Sequence, residues 1–146
     1  MNFTQKNVER LNALLRGEIA AVETYQQALK KIGNEPDAAE LREIAEDHRE
    51  AAGSLRRHVA TAPGRPEAGA GAWSAFAKAV EGAAQLFGNA AALQALREGE
   101  ERGVSDYENA LKDESLDAPS RALIAGTLLP RTRNHVRRLD RLMAPR

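Results

Sequence analysis

Four stretches of this chain carry apolar residues at alternating spacings of three and four. In the first, Val8, Leu11, Leu15, Glu18, Val22, Tyr25, Leu29 and Ile32 keep that rhythm. An α-helix with one face turned to a core brings such positions into a single stripe. The second stretch gives Leu41, Ile44, His48, Ala52, Leu55 and Val59, and the third gives Leu93, Leu96, Glu100, Val104, Tyr107 and Leu111. The fourth gives Ile124, Leu128, His135, Leu139 and Leu142. Every stripe holds a polar member, and a carboxylate on a core stripe is costly unless something pairs with it. The pattern predicts a helical bundle with a polar layer inside.

Local signals set the expected helix ends. The first helix is expected over residues 4–32, with Thr4 as its N-cap and Gly33-Asn34 as its left-handed C-terminal cap. The second is expected over 36–60, opening on Pro36. The short connection predicts that these two pack antiparallel. Residues 62–72 are rich in glycine and proline and read as a connector. Trp73, Phe76, Val80, Ala84 and Phe87 then mark a shorter amphipathic helix over 73–87. The third long helix is expected over 89–113 and the fourth over 119–143, with Pro130 kinking the latter. The result is one domain over 1–146, an all-α antiparallel four-helix bundle with a short extra helix in the crossover between helices two and three. Composition agrees: only 4% of residues are aromatic, which disfavours strands, and 146 residues suffice for a core.

The chain also repeats itself. Gly17, Glu18, Val22, Tyr25, Ala28 and Leu29 recur at the same spacing as Gly99, Glu100, Val104, Tyr107, Ala110 and Leu111. Leu41, His48 and Leu55 recur as Leu128, His135 and Leu142. Each half therefore carries a glutamate and a tyrosine on its first helix and a histidine on its second. Counted from the helix ends at ~1.5 Å per residue, Glu18, His48, Glu100 and His135 fall within about one turn of a common height. These four are the candidate metal ligands, since two imidazoles and two carboxylates suit one Zn, Fe or Mn ion. Tyr25 and Tyr107 lie two turns further along and are expected as a second layer beside that set, toward the hairpin loops.

Several segments carry a resemblance. Gly17-Glu18-Ile19-Ala20-Ala21-Val22-Glu23-Thr24-Tyr25, Asp47-His48-Arg49-Glu50-Ala51-Ala52, Trp73-Ser74-Ala75-Phe76-Ala77-Lys78, Val80-Glu81-Gly82-Ala83-Ala84, Glu98-Gly99-Glu100-Glu101 and Leu128-Leu129-Pro130 resemble a bacterial ferritin-like family with no established function. The resemblance implies a ferritin-like bundle and places iron ahead of zinc or manganese as the metal. Di-iron members of that fold use one glutamate from each of two helices and a Glu-x-x-His motif from each of the other two. On that pattern Glu18 and Glu100 take the places of the first pair, and His48 and His135 those of the motif histidines. Ala45 and Thr132 stand where the motif glutamates would be. Two carboxylates do not balance two divalent irons without water, hydroxide or neighbours such as Glu23, Asp47 and Glu101. The resemblance thus implies a small metal-binding bundle with a reduced site, where any catalysis would be redox or oxygen chemistry. Whether the protein is an enzyme stays open at this point.

Two other readings stand beside it. In one, no metal binds, and each glutamate pairs with a histidine and a tyrosine in a buried polar network. In the other, the bundle is an interaction module that uses Trp73, Phe76 and Phe87. Other classes are disfavoured. The chain has no cysteine, which excludes disulfides and thiolate sites. Its 21 basic and 21 acidic residues give no overall field toward nucleic acid or an anionic membrane. No signal-peptide pattern opens the chain, and no apolar run approaches the ~20 residues of a membrane span, so a cytoplasmic location is expected. Arg131, Arg133, Arg137, Arg138 and Arg141 read as a solvated basic face of helix four. That face and the crossover are the candidate contacts of a homo-oligomer. His58 reads as a helix-end residue suited to the dipole, and Glu23 as pointing off the stripe. No nucleophile elbow or phosphate-binding glycine loop is present.

Overall fold

The computed structural model describes residues 3–32, 36–61 and 89–144. The chain forms α1 (Phe3–Ile32), α2 (Ala38–Ala60), α3 (Asn89–Lys112), α4 (Ala118–Leu123), a π-helical turn (Ile124–Leu128) and α5 (Leu129–Met143). The last three run on as one rod, so the described residues form an all-α bundle of four rods. Among the described residues no helix is long and apolar enough to cross a membrane. The expected crossover helix over 73–87, with Trp73, Phe76 and Phe87, lies outside the described residues, as does the Gly33-Asn34 cap.

Cross-helix contacts fix the packing directions. Tyr25 meets Glu100 while Tyr107 meets Glu18, so α1 and α3 run in opposite directions. Arg97 pairs with Asp140 and Glu108 with Arg133, which opposes α3 to α5. Glu40 pairs with Arg138 and Glu50 with Arg131, which opposes α2 to α5. Leu11 and Leu15 pack with Leu55 and Val59, and Ile32 with Leu41, which opposes α1 to α2.

The stripes read from the sequence are the buried faces, with two adjustments. Every stripe member of α2 is buried, from Leu41 to Val59. In α1 and α3, Val22, Leu29, Val104 and Leu111 are only half-buried, while Ala28 and Ala110 are fully enclosed. Small alanines at these positions let the rods approach, and the larger neighbours rotate to the rim. The core divides into two apolar clusters. One contains Leu11, Leu15, Leu55, Val59, Ile124 and Leu128, and the other Ile32, Leu41, Ile44, Leu93, Leu96 and Leu139.

The helix ends differ from expectation in detail. Thr4 lies inside α1 rather than at its cap, because the helix already includes Phe3. Pro36 sits in a turn, and α2 opens at the buried Ala38, with the Asp37 carbonyl accepting from Leu41 N–H at 3.1 Å. Asp113 leaves α3 because its Oδ1 accepts from the Ser115 amide at 2.9 Å and hydroxyl at 2.6 Å, a local turn that competes with the helix. The Arg121 guanidinium donates to the carbonyls of Leu111 at 2.6 Å and Asp113 at 2.9 Å, satisfying acceptors at that helix end. Asp117 caps α4 by accepting from Ser120 N–H at 2.8 Å. His58 also reaches Ser120, with Nδ1 at 3.2 Å from the hydroxyl, and so ties α2 to the start of α4.

Pro130 disturbs helix four, and the disturbance takes the form of the π-helical turn just before it. Leu129 N–H bonds to Ile124 C=O, five residues back. A proline ring in an unbroken α-helix would press on the carbonyl four residues earlier. A wide turn with an extra residue relieves that pressure.

Because Leu139 is 0% exposed, Leu139→Ala is expected to destabilise the protein by about 2–5 kcal/mol in chemical denaturation. Phe3, 60% exposed, is the comparison: Phe3→Ala should change stability by no more than about 0.5 kcal/mol.

Candidate metal centre

Between the two apolar clusters lies a layer of charged and polar side chains, one or more from each rod. Glu18 comes from α1, His48 from α2, Glu100 from α3 and His135 from α5, and all four are buried. The sequence-predicted set is therefore brought together. Carboxylates in such surroundings require partners, and each has several. His48 Nδ1 lies 2.6 Å from Glu18 Oε2, and His48 Nε2 lies 2.6 Å from Glu100 Oε1. His135 Nδ1 lies 3.3 Å from Glu100 Oε2. The two imidazole rings stand 4.9 Å apart between centroids.

The tyrosines do not form a second layer. Tyr25 packs its ring in one apolar cluster and Tyr107 in the other. Because α1 and α3 are antiparallel, the step from glutamate to tyrosine runs in opposite directions on the two helices. Each hydroxyl therefore points back to the shared layer and donates to the glutamate of the other half. Tyr25 donates to Glu100 at 2.7 Å, and Tyr107 to Glu18 at 2.5 Å.

One member lies off the stripes, and the sequence marks it only as a neighbour that could help balance charge. Asp47 Oδ2 lies 2.8 Å from His135 Nε2. Sequence spacing put Asp47 beside the stripe, adjacent to His48 and about 100° around the helix. Nothing local links it to a histidine on α5, and only the α2/α5 packing creates the pair. Glu23 and Glu101 are exposed and take no part; Glu101 pairs with Arg97 instead. Ala45 is buried in an apolar cluster. Thr132 turns its hydroxyl back to the Leu128 carbonyl at 2.7 Å, so it supplies no donor to the layer.

The electrostatics follow from this enclosure. Burial pushes the Glu100 carboxyl up, but His48 and His135 outweigh it and hold the carboxyl well below the usual carboxylate range. Burial likewise pushes His48 down, and Glu100 with Glu18 outweighs it and holds the imidazole well above its ordinary value. With the imidazole protonated in the metal-free protein, each ring nitrogen of His48 donates to one glutamate. Burial and the adjacent glutamates raise both tyrosine hydroxyls, which stay neutral donors.

A ligand set stands out within the layer. His48, Glu100 and His135 each offer one donor atom, all within 4.8 Å of one another. A narrow cavity of about 40 Å³ meets the layer on the α1/α3 side, touching Glu18, Tyr25, His48, Glu100 and Tyr107.

Fold and site define a helical bundle with a buried histidine–glutamate centre. The chain belongs to the family described as a domain of unknown function, DUF2383, whose model matches residues 6–113. The match takes in Glu18, Tyr25, Asp47, His48, Glu100 and Tyr107, and ends before His135. No curated protein and no solved structure matches the chain.

The charged arrangement predicts a pH signature for the metal-free protein. A carboxyl with a lowered folded pKa stabilises above its ordinary value of 4.5, and this is lost as pH falls through the folded value. An imidazole with a raised folded pKa stabilises below its ordinary value of 6.5, and this is lost as pH rises through the folded value. The melting temperature should peak between about pH 4.5 and pH 6.5 and fall on both sides. A flat thermal-melt profile across that range and beyond it would count against the charged His48–glutamate pairing.

Proposed function

We propose that this protein is a metal-binding bundle that holds one divalent transition-metal ion on His48, Glu100 and His135. The observation that carries the reading is the meeting of two imidazoles and a carboxylate, fully buried, with donor atoms within 4.8 Å. A ligating histidine usually gives its second ring nitrogen to a carboxylate, which fixes the ring and its tautomer. Both histidines have such a carboxylate: Glu18 on His48 Nδ1 and Asp47 on His135 Nε2. On this reading His48 ligates through Nε2 and His135 through Nδ1. Glu18 then orients His48 instead of ligating, and Tyr25 and Tyr107 hold the two glutamates in place.

Three protein donors leave coordination positions for water or a small ligand, as catalytic metal sites do. Two histidines and one carboxylate suit Fe(II), and Zn or Mn are served by the same donors. The ferritin-like resemblance favours iron, which would supply redox chemistry there. The duplicated hairpins support a ferritin-like ancestry for the bundle, with the second pair of motif carboxylates lost at Ala45 and Thr132. A cytoplasmic setting without a nucleic-acid partner belongs to the same reading, supported by the balanced charge.

Untagged protein, purified without chelator and loaded with Fe(II), Mn(II) or Zn(II), is expected to retain about one ion per chain by elemental analysis. His48→Ala and His135→Ala should abolish retention, and Asp47→Asn should weaken affinity about 10–100-fold. A wild-type protein that takes up none of the three ions would sink the reading.

A second reading has its own observation. Each of these side chains already has a hydrogen-bond partner without any ion. Among the described residues the buried side-chain atom lacking one is Asn12 Oδ1, away from the centre. A protein that stays metal-free while showing the two-sided pH profile would make the layer a structural polar network.

A further inference from the structure

The proposed ligands are 4% exposed at His48, 4% at Glu100 and 1% at His135, so an ion needs a path to them. Two faces of the bundle compete. On the α2/α5 face, Arg138 bridges Glu40 and Glu43, Arg131 reaches Glu50, and Asp47 closes on His135. These ion pairs cross that face, and the groove beside them, lined by Glu46, Glu50, Gly53, Leu128 and Arg131, touches none of the three ligands.

The α1/α3 face differs. Gly17, Ala21, Gly99 and Gly103 meet there and are all half-exposed. The cavity of about 40 Å³ leads from these small residues to the buried Glu18, His48 and Glu100. Asp106 also lines it and is half-buried, which makes it the carboxylate nearest solvent along the cavity wall. Arg10, a cation on the same side of the bundle, pairs with Asp113 at 3.3 Å. Burial raises the Asp106 carboxyl above its ordinary value, against the pull of Arg102 one turn earlier on α3 and of Arg10, so a passing cation would relieve a partly desolvated carboxylate.

We propose that a hydrated divalent cation reaches the centre between α1 and α3, with Asp106 as the outer carboxylate and Glu18 as the inner one. The inference rests on the metal-binding reading and adds the form in which the metal arrives. One water needs roughly 10–15 Å³ of such space, so the cavity has room for an ion with a few waters. Carboxylates set along the wall replace the waters that the ion sheds. The small residues matter because a larger side chain at their positions would fill the passage.

The test uses the full chain, freed of metal, mixed with aqueous cobalt(II) chloride in a stopped-flow instrument. The visible absorption of bound Co(II) gives both the loading rate and the final occupancy. Asp106→Asn and Ala21→Leu should slow loading by about fivefold or more, by removing steering charge or narrowing the path, and leave final occupancy as in wild type. Arg131→Ala, which loosens the opposite face, should load at the wild-type rate. Asp106→Asn is conservative and carries the test should Ala21→Leu fail to fold. Full occupancy reached at the wild-type rate in Asp106→Asn and Ala21→Leu, or faster loading in Arg131→Ala, overturns the route alone. A wild type that binds no cobalt at equilibrium overturns the route and the metal-binding reading together.

Discussion

Glu100 is enclosed by two imidazoles and a phenol, and the register of the whole bundle depends on that enclosure. Its Oε1 accepts from Tyr25 and His48, and its Oε2 faces His135. A buried carboxylate left without such partners costs several kcal/mol, and breaking a buried pair costs about 3–5. The partners come from α1, α2 and α5. Sliding any of these rods by one turn, ~5.4 Å, would strand the charge. Apolar clusters above and below are more tolerant, because leucines accept many neighbours, whereas the polar layer accepts one arrangement.

The duplication explains part of this arrangement and not all of it. The tyrosine–glutamate bonds obey the repeat, each hydroxyl crossing to the other half. The histidines do not. His48 touches both glutamates, whereas His135 touches Glu100 and Asp47. In the repeat, Asp47 corresponds to Asn134, so the second half lacks the matching carboxylate. Glu18 and Asp47 thus sit on the outer nitrogens of the two rings, and Glu100 alone lies between them. The two repeated hairpins thus build a site with one central carboxylate.

The fourth rod shows how local strain and packing are reconciled. Pro130 forbids a regular α-helical turn, and the π-helical stretch over Ile124–Leu128 absorbs the conflict. Leu128 and Leu129, adjacent in sequence, are both buried there. His135 follows one and a half turns beyond the proline, in regular α5, where a rigid helix can hold its ring against Asp47 and Glu100. The α3–α4 connection is fixed in turn by Arg121 on the carbonyls of Leu111 and Asp113, and by Asn7 bonding Asp117 from α1.

Among the described residues, the sequence by itself determined where the helices run, most of the positions they bury, and that Glu18, His48, Glu100 and His135 share a height. Those features follow from a 3.6-residue period and a 1.5 Å rise, which are properties of single helices. Pro36 and Pro119 fall within two residues of where α2 and α4 begin. The tertiary structure decided who pairs with whom. Tyr25 lies about 10 Å along α1 from Glu18, too far to bond it, and only the antiparallel α3 brings Glu100 within reach. Asp47 joined the site because α2 and α5 pack side by side, a relation that no spacing within α2 encodes. The cavity beside Asp106 exists for the same reason: Gly17 and Ala21 line a passage only where α3 sets Gly99 and Gly103 opposite them.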